Sequence, residues 1–205
     1  RSMSERWVPF DVTDADLNPF VQFEKWFAEG SAEVREPDAV TLATVDASGR
    51  PSSRMVLLRH HDGEGFGWFT NYESRKGHDL DANPVAALLW HCEPLGRQIR
   101  IEGSVQRMTA AASDAYFASR PRGHQLGAHA SAQSTPLASR AAFDERLAEV
   151  TAAFEGQEIP RPAYWGGYLL TPDSFEFWQH RRDRLHDRVI YSLREGQWER
   201  ERQAP

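Results

Sequence analysis

Most of the β-type segments of this chain are joined by connections too short for neighbouring strands to run parallel. Ala39–Asp46 is a β-rich run that ends in the turn signal Asp46-Ala47-Ser48-Gly49. Ser52–His61 follows at once and closes at Asp62-Gly63-Glu64-Gly65, and Gly65–Asn71 is a third, aromatic-rich run. A parallel pair needs a crossover of about a dozen residues or more, so these neighbours must pair antiparallel. Val85–His91 is almost wholly apolar, the mark of a strand covered on both faces. Arg97–Arg107 alternates, with Ile99 and Ile101 on one face and Gln98, Arg100 and Glu102 on the other. Four further runs close the chain: Tyr164–Thr171, Ser174–Gln179, Arg188–Leu193 and Gln197–Arg202, the last two joined at Glu195-Gly196.

Helical periodicity falls around and between these strands. Phe20, Phe23 and Phe27 recur at helical spacing within Asp16–Ala32, for which Asp16 is a candidate N-cap. Ser74–Asn83 reads as a short helix capped by Ser74 and stopped at Asn83-Pro84. Thr109–Ser119 is helical and ends before Pro121. In Ser139–Phe154 the residues Phe143, Leu147, Val150 and Phe154 line one face. The polar stretch Ser131–Arg140 is a candidate mobile loop. The pattern predicts a mainly β fold, an antiparallel closed or split β-barrel with peripheral helices. Residues 1–15 are expected as an extended arm and 16–205 as a single domain. Arg1 and Ser2 ahead of Met3 read as a remnant of cloning.

The chain carries 24 Lys+Arg against 30 Asp+Glu, a formal net charge of −6, which argues against a nucleic-acid partner. No apolar run is long enough for a transmembrane helix and no secretory signal is visible. The single cysteine, Cys92, fits a reducing, cytoplasmic setting. Zinc-ligand spacing, a Gly-x-Gly-x-x-Gly loop, a Walker loop and a nucleophile elbow are all missing from the sequence, so no metal site is expected.

Donors suited to phosphate recur instead. Arg54 and Arg59 bracket four apolar residues and, five apart, point to opposite faces of a regular strand. Ser74-Arg75-Lys76 opens a helix, where free N–H groups and the dipole favour an anion. Tyr116 and Arg120 share a helical face, with Arg122 and His124 just beyond. Gln133 and Ser134 add hydrogen-bonding groups. The stretch from Trp178 to Arg188 packs four arginines and two histidines into an acidic chain. Each group taken alone is equally well read as a solvated or snorkelling surface cluster. Their recurrence in separated segments points to a phosphorylated cofactor that carries the hard chemistry itself.

These segments, in this order, resemble the pyridoxamine 5'-phosphate oxidase family. The matching stretches are Arg-Met-Val-Leu-Leu-Arg (54–59), Phe-Thr-Asn (69–71), Ser-Arg-Lys (74–76) and Gly-Arg-Gln (96–98). They continue with Tyr-Phe-Ala-Ser-Arg-Pro-Arg (116–122), Gln-Leu-Gly-Ala (125–128), Gln-Ser (133–134) and Trp-Gly-Gly-Tyr (165–168). Last come Glu-Phe-Trp-Gln (176–179), Arg-Leu-His-Asp-Arg (184–188) and the terminal Ala-Pro. The resemblance implies an FMN-binding split barrel, a homodimer with FMN at the subunit interface, and oxidation of pyridoxamine or pyridoxine 5'-phosphate to pyridoxal 5'-phosphate. Hydride would pass to flavin N5, and O2 would reoxidise the flavin to give H2O2. Carried over by motif, FMN would be held by Arg54, Met55, Val56, Leu57, Leu58, Arg59, Phe69, Thr70, Arg75, Lys76, Gln98, Gln133, Ser134, Trp178 and Arg188. Arg59, Tyr116, Arg120 and His124 would take the substrate phosphate. Arg184, Leu185 and His186 would meet the substrate, Arg184 and His186 as the catalytic pair.

Three positions depart from the family pattern: Arg59 where Lys is usual, His124 where Ser is usual, and His180-Arg181 in place of Gly-Gly. A guanidinium grips phosphate as a planar fork rather than a point charge. Imidazole is bulkier than a hydroxyl and titrates near neutrality. The resemblance leaves two alternatives: a flavin oxidase of the phenazine-biosynthesis type, and a non-catalytic FMN or pyridoxal phosphate binder.

Overall fold

A computed structural model describes residues 8–205. Nine strands form one antiparallel sheet: β1 Ala39–Val45, β2 Pro51–Leu57, β3 His60–His61, β4 Phe66–Asn71, β5 Val85–Cys92, β6 Arg97–Arg107, β7 Trp165–Gln179, β8 Asp187–Arg194 and β9 Gln197–Arg202. The order is β2-β1-β5-β6-β7-β4-β3, with β8 and β9 branching from β7. The sheet curls, so its ends approach: Leu58 N donates to Asp38 O at 2.7 Å, and the next residue, Arg59 N, to Gly67 O at 2.9 Å. This half-barrel with helices around it is the architecture the strand spacing predicts. Its inner face is Val40, Leu42, Leu88, Trp90, Ile99, Ile101, Phe175, Phe177 and Val189, all buried.

Five helices accompany the sheet among the described residues: α1 Pro19–Ser31, α2 Arg75–Ala82, α3 Ala110–Ser119, α4 Arg122–Ala130 and α5 Arg140–Ala153. α1 presses Phe23 and Trp26 into the core. α2 packs so closely on the strand end before it that a Cβ on Gly77 would lie 1.8 Å from the Tyr72 carbonyl oxygen.

The structure corrects several expectations. Asn18, not Asp16, caps α1, its side chain accepting from Phe20 N at 2.9 Å, because Pro19 takes the first helical position. Asp16 instead accepts from Asn18 N and Lys25 Nζ. Ser74 occupies the N-cap position of α2, but its hydroxyl donates backward to Asn71 O at 2.7 Å. The run Ser52–His61 is two strands, since the chain at 58–59 leaves β1 to join β4. The runs Tyr164–Thr171 and Ser174–Gln179 are one strand, β7, bent at a register shift beside Gly103. A Cβ there would meet Thr171 O at 2.1 Å, so only glycine lets the two backbones approach. β5 is covered on one face only: Leu88, Trp90 and Cys92 are buried, while Val85 is 53% exposed. α4 was not expected from the sequence; of its residues only Leu126 is buried.

Of the expected N-terminal arm, residues 1–7, with the expected cloning remnant at Arg1-Ser2, lie outside the described residues. Beyond them Phe10 is buried against Trp26, with ring centroids 4.7 Å apart, and residues 11–14 form a turn. The stretch 131–139 has no regular secondary structure.

Candidate functional site

A cleft of about 480 Å³ opens where β2 and β4 meet α3 and α4. Met55, Val56, Leu57 and Arg59 form one wall, and Phe69, Thr70 and Lys76 another. Tyr116, Arg120, His124 and Gln133 close it, with Trp165 beneath. A second cavity of about 480 Å³ shares Phe69, Arg120, His124 and Trp165 with the first, so the two are continuous. The floor is an aromatic stack: Tyr116 lies on Phe69 at 3.9 Å between centroids, and Phe69 on Trp165 at 5.7 Å.

The cations of this cleft are short of anions. Lys76 is buried, and its Nζ donates to Thr70 Oγ1 at 3.0 Å, Ser74 Oγ at 3.1 Å and Gln133 Oε1 at 3.0 Å. None of these partners is charged. Burial and the nearby Arg54 push the ammonium down to about 8. Arg120 caps the end of α3 and lies over the Trp165 ring at 4.6 Å, while its Nη1 is buried with no hydrogen-bond partner. Burial lowers its pKa as well. An orphaned buried guanidinium nitrogen is costly unless something accepts from it. Arg59 is paired with Asp38 at the rim. Arg54 points away from Met55, as strand alternation requires, toward Leu42 O, Thr44 Oγ1 and Ser52 Oγ, with Asp79 at 3.6 Å. Arg75 is exposed on the first turn of α2.

The remaining candidate residues gather elsewhere. Gln98, Trp178 and Arg188 are cross-strand neighbours on β6, β7 and β8 and share the outer sheet face. The His186 ring lies 4.4 Å from that of Trp178. Arg188 Nε donates to the buried Glu176 at 2.6 Å, an ion pair that raises its pKa. Arg184 and Leu185 are exposed on the loop before β8, where Asp183 and Arg184 hold φ of 56° and 61°. Ser134 also holds a positive φ, 70°. Such backbone is uncommon outside glycine and concentrates at functional segments. Leu58 turns into the core.

The fold thus unites Met55, Val56, Leu57, Arg59, Phe69, Thr70, Lys76, Tyr116, Arg120, His124 and Gln133 around one cleft. Gln98, Trp178, Arg184, Leu185, His186 and Arg188 line neither cavity. Sequence reasoning gave no role to Trp165, the cleft floor, nor to Asp38 and Asp79, the partners of Arg59 and Arg54. Trp165 lay within a quoted motif. The two aspartates carried no local signal, because their partners are remote in sequence.

A curled antiparallel sheet with an aromatic, cation-lined cleft beside its edge strand defines a split-barrel protein of the flavin-binding kind. PhzG from Burkholderia lata 383, solved in complex with tetrahydrophenazine-1-carboxylic acid, superimposes with a TM-score of 0.90 at 33% identity, over 97% of this chain and 98% of that one. A pyridoxamine 5'-phosphate oxidase-related, FMN binding protein from Nostoc punctiforme shares the fold, with a TM-score of 0.74 at 18% identity over 93% and 100% of the two chains. Residues 28–153 match the family model described as pyridoxamine 5'-phosphate oxidase, and residues 165–205 match the pyridoxine 5'-phosphate oxidase C-terminal dimerisation region. The chain belongs to the pyridoxamine 5'-phosphate oxidase family, and it is an enzyme of that oxidoreductase family. The pyridoxine/pyridoxamine 5'-phosphate oxidase of Janthinobacterium sp. (strain Marseille) is 54% identical over 194 residues, 94% of this chain and 92% of the relative. That of Herminiimonas arsenicoxydans is 53% identical over 195 residues, 94% and 92% of the two.

Proposed function

We propose that this protein oxidises pyridoxamine or pyridoxine 5'-phosphate to pyridoxal 5'-phosphate, as an FMN-dependent homodimer in the cytoplasm. The observation that carries the reading is the cleft in which Arg59, Tyr116, Arg120 and His124 converge, with the Arg120 Nη1 buried and unpaired. A dianionic phosphate supplies the acceptor that Arg120 lacks.

The residues present also fit FMN. Arg54, Arg75 and Lys76 form a cationic end for its phosphate, with Thr70, Gln133 and Ser134 adding donors and Met55 to Leu58 a strand against which a flat ring packs. Bound FMN supplies the two-electron acceptor for oxidation at the substrate C4', and O2 then takes the electrons as hydrogen peroxide. Gln98, Trp178, Arg184, Leu185, His186 and Arg188 line neither cavity, and in this reading a second copy would bring them over the cleft. A match to a dimerisation region supports that arrangement, as does the exposed outer face carrying Met55, Leu57 and Val85.

Within the site, this chain's residues bind, orient and hold protons. Arg120, Tyr116, Arg59 and His124 fix the substrate by its phosphate. His186 Nδ1 accepts from Arg181 N at 3.2 Å, so the neutral ring carries its proton on Nε2. Burial, His180 and Arg184 push its pKa below the ordinary imidazole value, which keeps that form at neutral pH. Nε2–H is then a donor to the substrate ring or its C4' substituent, and Arg184 adds a fixed positive charge beside it.

Release of hydrogen peroxide with formation of pyridoxal 5'-phosphate from pyridoxine 5'-phosphate, together with FMN identified by mass in the denatured supernatant, tests the reading. Absence of turnover by the flavin-loaded dimer overturns it. Oxidation of a reduced phenazine precursor instead would favour the alternative suggested by the PhzG likeness. FMN retention without turnover of either substrate would indicate the non-catalytic binder.

A further inference from the structure

The loop joining β7 to β8 builds a clamp around one side chain. The His186 ring contacts both Trp178, at 4.4 Å and an interplanar angle of 38°, and His180, at 5.0 Å and 55°, so the three rings form a triangle. His180 is in turn edge-on to Trp178 at 5.9 Å, and its backbone N–H donates to Gly96 O at 2.7 Å. The next residue supplies the polar contact, with Arg181 N donating to His186 Nδ1 at 3.2 Å. The Arg181 guanidinium donates to Asp187 Oδ2 at 3.1 Å. Asp187 is buried and also accepts from Phe10 N at 3.1 Å and Arg202 Nη2 at 2.8 Å, which ties the loop to the N-terminal segment and to β9. The left-handed backbone at Asp183 and Arg184 gives the loop no intrinsic preference for this shape, so side-chain contacts must hold it.

We propose that His180 and Arg181 are positioning residues for His186: the His180 ring holds the imidazole against Trp178, while Arg181, anchored on Asp187, holds the backbone N–H that commits Nδ1 as acceptor and leaves the proton on Nε2. The inference rests on the oxidase reading for its consequence in turnover, but the tautomer and titration of His186 are readable without turnover. Both positions fall where the sequence departs from the Gly-Gly of the pattern it resembles, so both bring side chains to the loop. The charged groups around the imidazole are His180 and Arg184, which disfavour its protonation, and Asp187, which favours it; burial adds the largest push against the charge. Arg181 and Arg202 offset the Asp187 contribution by pairing with that carboxylate.

The test is long-range 1H–15N NMR of the imidazole nitrogens in the flavin-loaded protein, with kcat and KM measured against pH, for wild type, His180→Ala, His180→Phe and Arg181→Gln. Wild type is expected to show the Nε2–H tautomer. Arg181→Gln should mix the two tautomers. His180→Ala should raise the titration midpoint of His186, because a titratable neighbour that opposes its protonation is lost, and lower kcat by about tenfold through loss of orientation, with KM held within about twofold. His180→Phe restores a packing ring that does not titrate, so kcat should recover while the midpoint stays raised. Should His180→Ala fail to fold, the Phe and Arg181→Gln variants carry the same readouts. An unchanged tautomer in Arg181→Gln together with an unchanged midpoint in both His180 variants overturns the clamp. A wild type that does not oxidise the substrate but shows the expected tautomer and midpoint shifts overturns the oxidase reading and leaves the clamp standing.

Discussion

Lys76 Nζ donates to Gln133 Oε1 at 3.0 Å across 57 residues of sequence, joining α2 to the irregular stretch that follows α4. The contact gives a buried ammonium only neutral partners, which favours an anionic ligand over an ion pair. Replacing Lys76 with Met should therefore divide stability from binding. The native pKa of about 8 lies below the 10.5 of the unfolded chain. The penalty on folding is then complete below pH 8 and relieved as pH rises toward 10.5. Ligand-free Lys76→Met is expected to melt above wild type at pH 7, with the gap closing toward pH 10. Its FMN content should fall sharply. Wild-type FMN affinity should weaken as pH rises through 8, because the phosphate binds the protonated form. Melting curves and flavin titrations across pH 7–10 check both signs.

Arg120 places a buried, unpaired Nη1 above the Trp165 ring. Losing a charged hydrogen bond to phosphate costs roughly 1.5–3 kcal/mol, or about ten- to a hundredfold in affinity. Arg120→Ala should raise KM for the phosphorylated substrate by that factor with FMN content unchanged. A variant with normal KM would remove Arg120 from the substrate cradle.

Arg184 stands outside the cleft on strained, exposed backbone. If it acts on the reacting part of the substrate from across the dimer, Arg184→Ala should depress kcat more than it raises KM, since only interactions gained in the transition state speed the chemical step. Loss confined to KM would make Arg184 a binding residue alone.

Val85 is 53% exposed on the outer face of β5, opposite the buried Leu88 and Trp90. A second copy over that face would bury it. Val85→Glu should shift sedimentation from dimer toward monomer and lower flavin content in parallel, as the two halves of the site separate. An unchanged, flavin-saturated dimer would exclude this face from the interface.

Antiparallel pairing, four of the helices, two by periodicity and the others by their end signals, and the cationic motifs were legible in the sequence, because turn length, alternation, helical spacing and stop residues are local properties. Arg54 and Arg59, expected on opposite faces of one regular strand, do diverge, with the end of β2 at Leu57 contributing. One failure was local: Asp16 lost the cap to Asn18 because the adjacent Pro19 set the helix start. The other was nonlocal. Two apolar runs became one strand because β6 pairs along the whole of β7 through the shift at Gly103.

The order of residue types by itself determined that this chain folds as an antiparallel barrel with recurrent cationic side chains in separated segments, and it held the family motifs in order. Tertiary structure alone decided which of those side chains share a cleft. Arg59, Tyr116, Arg120 and His124 meet because the sheet curls β2 onto β4 beneath α3 and α4, while Trp178 and His186 lie farther along the sheet, outside that cleft. Curl and register arise from pairing between segments far apart in sequence, and no local spacing encodes them.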